Sequence, residues 1–307
     1  MGHRETISWR EPLELDGSWA VGGAPVLTRR IGEHTYVLRQ SKRVSYEAPF
    51  MLLFLGEERA VLWDTGATPD PTAFPLRETV DRLLDDWLAE HPQLHYPLVV
   101  AHTHAHGDHV AADGQFQGRP DTTVIGHTVE DVQSAFGIAV WPEGQGQLDL
   151  GDRVLDILPI PGHHPTSVAV YDPWSGLLLT GDTVYPGRLY VTDMPAFCQS
   201  LGRLAAWAHE HRVSAVVGCH IEMTQTPFRD FPLGSTEEGP EASWPLPPEH
   251  IERVRTAALG AGAPGTYRFD DFIIVHGQSL RVLGPLLMRA MWWRATRPLR
   301  RSKRRTG

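Results

Sequence analysis

Residues 102–109 read His102-Thr103-His104-Ala105-His106-Gly107-Asp108-His109 and follow directly on the apolar run Leu98-Val99-Val100-Ala101. A short apolar run of that kind reads as a buried strand. The cluster therefore sits where a strand gives way to a loop, the place at which a rigid scaffold presents its chemistry. His104 and His106 are two apart and point together from an extended segment. Gly107 lets the chain turn sharply, so that Asp108 and His109 come back beside them. Neutral imidazole and carboxylate are ligands for zinc, and one loop of this composition can serve two adjacent metals.

Working outward, His34 to Gln40, Phe50 to Leu55 and Ala60 to Trp63 are short apolar or alternating runs parted by turn residues, as in neighbouring antiparallel strands. From Pro75 the period changes. Leu76, Val80, Leu83, Leu84, Trp87 and Leu88 recur at three and four residues, which predicts an amphipathic helix. The second half of the chain has the same character, with strands at Arg153 to Ile160, Val168 to Tyr171, Leu177 to Thr180 and Ser214 to Val217, and a helix from about Pro195 to His211 between the last two. Residues 226–248, rich in Pro, Gly and acid, read as a long surface loop. A helix near Glu249 to Leu259 and a strand over Tyr267 to His276 follow. The pattern predicts an α/β fold with two sheets. Residues 1–30, with Gly and Pro around Gly17 to Pro25, read as an N-terminal arm of little regular structure, residues 31–280 as one domain, and residues 281–307 as a basic helix, ending at Arg297-Pro298, and tail.

Four more polar segments sit at strand ends: Asp64-Thr65-Gly66, Pro161-Gly162-His163-His164, Thr180-Gly181-Asp182-Thr183 and Gly218-Cys219-His220. With the His104-x-His106-x-Asp108-His109 cluster they form five motifs in order over about residues 34 to 225, and the sequence resembles the metallo-β-lactamase fold superfamily. That resemblance implies an αββα four-layer sandwich. It also implies that His104, His106 and His163 hold one metal, that Asp108, His109 and His220 hold the other, and that Asp182 bridges them. Asp64 is implied to brace the histidine loop rather than bind metal. His102, His127, His209 and His211 fall outside the motifs and read as surface or satisfied core residues. Cys219, although next to His220, is not expected to be a ligand.

Two zinc ions per chain would lower the pKa of a bridging water from ~15.7 toward ~7. The implied activity is a dinuclear zinc-dependent hydrolase, using metal-bound hydroxide on an ester, thioester or lactone-type small molecule, with Asp108 as the catalytic carboxylate. The presence of Asp182 and the segment around it are similar to the glyoxalase II-like and lactonase-like branch and argue against a β-lactamase. The glutathione-binding basic residues of glyoxalase II are not recognisable. Tyr185, Arg188 and Tyr190, after the fourth motif, are candidate substrate contacts, Arg188 as a carboxylate or phosphate clamp. The alternatives are a mononuclear iron persulfide dioxygenase, which shares the motif, and a phosphodiesterase.

Charge divides the chain. Its formal net charge is −9, from 28 basic and 37 acidic side chains. Residues 281–307 hold nine Lys or Arg and no acid, leaving 19 basic against 37 acidic in the remainder, a formal −18. An acidic body argues against nucleic acid at the active site, whereas the basic C-terminal tail suits an anionic surface. Two cysteines, Cys198 and Cys219, make no disulfide framework. The polar N-terminus lacks an apolar signal run, so a cytoplasmic location is expected.

Overall fold

Strand residues alternate between two faces, and here both faces find apolar partners. In the computed structural model, which describes residues 23–236 and 239–303 (297–303 by backbone alone), the first half contains β1 (Val26–Arg30), β2 (Thr35–Gln40), β3 (Phe50–Leu55), β4 (Ala60–Trp63), α1 (Leu76–Glu90), β5 (Leu98–Ala101), α2 (Gly107–Val110), α3 (Asp113–Phe116), β6 (Thr122–Val124) and α4 (Val129–Phe136). The second half adds β7 (Gly146–Asp149), β8 (Val154–Pro159), β9 (Val168–Asp172), β10 (Leu177–Gly181), β11 (Arg188–Val191), α5 (Met194–Glu210), β12 (Ala215–Gly218), α6 (His250–Gly260), β13 (Gly265–Arg268), β14 (Ile273–His276) and α7 (Leu280–Lys303). One sheet has the order β1-β2-β3-β4-β5-β6, and a second the order β12-β10-β9-β8-β7.

Phe50, Leu52, Phe54, Val61 and Trp63 of the first sheet meet Leu155, Ile157, Val168, Val170 and Val217 of the second in the central core. The intervening residues Met51, Leu53, Leu62 and Val100 face Val80, Leu83, Leu84 and Trp87 of α1. On the far side Leu158, Tyr171, Leu178 and Val216 face Phe197, Leu201 and Leu204 of α5 and Ile251 and Val254 of α6. Helix, sheet, sheet and helix stack in that order, which is the αββα sandwich. Burying a strand on both faces explains why these strands read as continuous apolar runs.

The sheets are clamped by charge as well. Arg153 and Asp172 are both fully buried, with Arg153 Nη2 2.6 Å from Asp172 Oδ2. The same guanidinium donates to the carbonyls of His34 (2.8 Å) and Leu55 (2.9 Å) and to Thr35 Oγ1 (2.9 Å), across the gap to the first sheet.

Four expectations from the sequence are corrected by the fold. Residues 26–30, assigned to an irregular arm, form edge strand β1, paired antiparallel with β2 through Val26↔Gln40 to Arg30↔Tyr36; residues 1–22 of that arm lie outside the described residues. Tyr267 to His276 is a hairpin, not one strand. Asp270 and Asp271 at its tip are held by Arg253, and with β11 it makes a small third sheet, β11-β14-β13. The loop over 226–248 is irregular but not superficial. Asp230, Trp244 and Leu246 are buried, Trp244 stacks on Phe50 at 4.1 Å, and Glu241 takes Arg39 and Lys42. Finally, α7 continues through Pro298 to Lys303; a proline removes one helix hydrogen bond and here does not end the helix.

Removing Arg153 strands the Asp172 carboxylate in the core, so Arg153→Ala is expected to lower unfolding stability by about 3–5 kcal/mol. Arg82→Ala, which removes an exposed pair with Asp86, is expected to lower it by less than about 1 kcal/mol. Urea titration of the two variants measures both.

Candidate metal centre

The five motifs converge at one end of the sandwich. Strand β5 delivers the histidine loop, in which His106 keeps extended backbone (φ −72°, ψ 152°) and α2 then begins at Gly107. Gly107 is not in a left-handed conformation. The turn that returns Asp108 and His109 is the helical turn itself, not glycine freedom as the sequence suggested. Gly162 does need to be glycine: its φ is 135°, and a Cβ would lie 2.4 Å from the Cα of Phe197.

His104, His106 and His163 bring one ring nitrogen each into a tight triangle: His104 Nε2 to His106 Nδ1 is 3.0 Å, His163 Nε2 to His106 Nδ1 3.0 Å and His163 Nε2 to His104 Nε2 3.2 Å. Beside it stand Asp108, His109, Asp182 and His220, whose nearest donor atoms also lie within 4.8 Å of one another. Asp182 lies between the groups, 3.8 Å from His163 Nε2, 3.7 Å from His109 Nε2 and 3.5 Å from His220 Nε2. His164 stays out of both groups and turns its Nδ1 to Thr166.

The outward nitrogens fix the tautomers. His163 Nδ1 donates to the Tyr190 carbonyl at 2.7 Å, His220 Nδ1 to the Glu47 carbonyl at 3.0 Å and His109 Nδ1 to Asp64 Oδ2 at 2.9 Å. In each neutral ring the Nε2 is then the nitrogen that faces inward as the metal-binding atom. Three nitrogens in a triangle cannot all satisfy one another by hydrogen bonds, and the buried Asp182 Oδ1 has no hydrogen-bond partner. Both features fit a cation as the missing partner.

Burial first, and then the neighbouring imidazoles, hold His104 well below the usual histidine range and favour its neutral form. His163 is also lowered, with burial the largest cause and Asp182 opposing it. For His220, burial is outweighed by Asp182 and Asp108, which push it up to about 9. His109 is raised in the same way by Asp64, Asp182 and Asp108.

Asp64 sits in a left-handed backbone conformation, φ 68°. Its Oδ1 accepts the Thr103 N–H at 2.7 Å and its Oδ2 accepts the Thr103 hydroxyl at 2.9 Å, His109 Nδ1–H and the Cys219 thiol at 3.3 Å. With its lone pairs engaged, the carboxylate braces the loop. Cys219 is pushed well up, first by burial and then by Asp64, so the sulfur keeps its proton and is a poor ligand. His102 and His127 both bond Asp113, at 2.9 and 2.8 Å, and Thr65 donates to the same carboxylate. Hydrogen bonds account for that second cluster in full. At the end of α5, His211 stacks on Trp207.

A cavity of about 310 Å³ opens onto Asp108, His106, His163, Asp182 and His220. Tyr185 and Tyr190 line it, whereas Arg188 does not. The Arg188 guanidinium is committed to Glu222, to Asp230 at 2.7 Å and to the Phe231 carbonyl at 2.9 Å, so the clamp expected from sequence is used up inside the protein. The Tyr185 hydroxyl donates to the Arg188 carbonyl. Tyr46, Glu47 and Glu222 also line the cavity. Sequence reasoning missed the first two because Tyr46 and Glu47 sit in a turn before β3, far from any motif. Among the described residues no Lys or Arg lines the cavity.

Residues 48–201 match the family model of the metallo-beta-lactamase superfamily. The chain belongs to this superfamily. Among curated proteins, a hydroxyacylglutathione hydrolase of Thermosynechococcus vestitus is 32% identical over 130 residues, covering 41% of this chain and 50% of that protein. One of Methylococcus capsulatus is 30% identical over 168 residues, covering 54% and 60% respectively. The chain spans about half the length of these curated relatives. Among solved structures, a metallo-β-lactamase of Erythrobacter litoralis, with β-mercaptoethanol in its active site, superposes with a TM-score of 0.53 at 16% identity, covering 78% of this chain and 99% of that one. At that identity the likeness is one of superfamily fold.

Because Asp64 orients His109, Asp64→Ala is expected to weaken zinc binding by about 10–100-fold, and His164→Ala to leave it unchanged. Competition with a chromophoric chelator reads both. In the unsubstituted chain, the protons on His109 and on His220, whose pKa is raised to about 9, must leave as a metal ion enters. Zinc affinity is therefore expected to rise with pH toward 9, with proton release detectable in weak buffer.

Proposed function

We propose that this chain is a metal-dependent hydrolase, holding two zinc ions and acting on a small ester, thioester or lactone. The observation that carries the reading is the pair of ligand groups sharing Asp182 at the floor of one cavity. His104, His106 and His163 would hold one ion, Asp108, His109 and His220 the other, with Asp182 between. When bound, the ions supply Lewis-acid polarisation of a carbonyl and a water of lowered pKa.

The chain's own groups do the rest. Asp108 is held well below the usual carboxylate range: burial opposes this, but His109 and His220 outweigh it, so it stays ionised at neutral pH. Facing the cavity, it would accept a hydrogen bond from the attacking water and fix its direction. Asp182 is lowered to about 2, burial being overcome by His220 and His109, and remains an anion between the groups. Tyr46, Tyr190, Leu233, Val275 and Leu283 give the substrate a mixed aromatic and aliphatic wall. With no Lys or Arg lining the cavity among the described residues, a neutral acyl substrate is favoured over one whose carboxylates or phosphates need a cationic side chain beyond the metal site. A β-lactam remains disfavoured by the bridging position of Asp182, as does a phosphodiester by the lack of a free cationic clamp.

Metal analysis of purified protein is expected to give two zinc per chain; one iron per chain would instead support the dioxygenase. In a panel of neutral thioesters, lactones, S-lactoylglutathione, phosphodiesters and β-lactams, the neutral acyl compounds should give the highest kcat/KM. Preference for S-lactoylglutathione would overturn the neutral-substrate reading while leaving the hydrolase intact. Asp108→Ala should lower kcat by about 10²-fold or more with an unchanged circular dichroism spectrum; undiminished turnover would sink the assigned role.

A further inference from the structure

Helix α7 has two apolar sides. Inward, Val282 and Leu286 pack on Met223, Ile273 and Val275, and Trp293 is 2% exposed. Outward, the helical repeat aligns Leu280, Gly284, Leu287, Met288, Met291 and Ala295. Leu280 is 82% exposed, Leu287 44%, Met288 67% and Met291 64%; Trp292, at the margin, is also exposed. A surface helix ordinarily turns charge to water on this side. Here the water-facing stripe is apolar over about 22 Å from Leu280 to Ala295 at 1.5 Å per residue.

The charges on α7 flank the stripe. Arg281 and Arg294 are exposed on either side of it, while Arg289 turns inward to Asp230. No Asp or Glu occurs from residue 281 to the end of the sequence, and Arg297, Arg300, Arg301, Lys303, Arg304 and Arg305 follow. No described helix is long and apolar enough to cross a membrane.

We propose that α7 is an in-plane docking surface for an anionic lipid bilayer: the Leu and Met stripe enters the headgroup boundary while the flanking arginines meet lipid phosphates. An exposed apolar stripe edged by cations is the pattern of an interfacial helix, in which long basic side chains extend to the headgroups. Nucleic acid would use the cations but leave the stripe in water. A symmetric contact of α7 with α7 of a second copy would cover the stripe but set cationic helices against each other with no acid on the stripe to compensate. Because α7 also supplies Leu283 to the cavity wall, docking brings the cavity beside the bilayer.

The test is co-sedimentation of the full-length, zinc-loaded protein with large unilamellar vesicles. Partitioning onto phosphatidylcholine containing about 30 mol% phosphatidylglycerol should exceed that onto pure phosphatidylcholine by about tenfold or more, and fall at high salt. The triple variant Leu287→Ser, Met288→Ser, Met291→Ser changes only exposed side chains. It should lose about tenfold or more of that partitioning while keeping its circular dichroism spectrum and melting temperature. Equal binding to both vesicle types, or an unaffected triple variant, overturns the proposal. So does light scattering that shows a stable dimer, lost in the triple variant, with no vesicle binding by the original chain.

Discussion

The Asp64 carboxylate joins the parts on which the metal centre depends. It leaves the end of β4 in a left-handed conformation that few aspartates adopt. From there it reaches Thr103 and His109 in the loop after β5 and Cys219 in the loop after β12. Those loops belong to different sheets, so one side chain fixes both the inward tautomer of His109 and the approach of the two layers. The strained backbone is held in place by four donors to its carboxylate, an arrangement in which structure over-determines an unfavourable dihedral.

Charge in this protein is sorted by depth. Arg153 and Asp172 are buried where they tie sheet to sheet, Arg188 is consumed by Glu222 and Asp230, and Glu241 holds Arg39 and Lys42. The arginines near the cavity thus serve packing, which leaves its wall without a Lys or Arg among the described residues. Arg281 and Arg294 are instead exposed, on a helix whose inner face completes the fold and whose outer face does not. A formal −9 describes neither region.

Much was legible because the physics was local. The short apolar runs of β3 and β4, the three-and-four spacing of α1 and the placement of histidines at strand ends each follow from a few neighbouring residues. The strand runs predicted two sheets, and the four layers were implied by the resemblance that the five motifs carry. What escaped was non-local. Val26 to Arg30 forms a strand because the edge of β2 offers it hydrogen bonds. Tyr267 to His276 folds back into a hairpin whose second strand, β14, also pairs with β11, far earlier in the chain. Glu47 reaches the cavity because its carbonyl caps His220, 173 positions away.

The sequence by itself determined the class of donors, their order along the chain and a two-sheet α/β fold, since each is written in residue type and short-range period; the αββα layering came from the resemblance that those motifs carry. Only the tertiary structure decided which of the adjacent residues His163 and His164 brings a ring nitrogen to those of His104 and His106, that Arg188 is spent in the interior, and that the water-facing side of α7 is apolar. These depend on where a side chain points once distant segments have packed, and a direction in space is not a property of neighbouring residues.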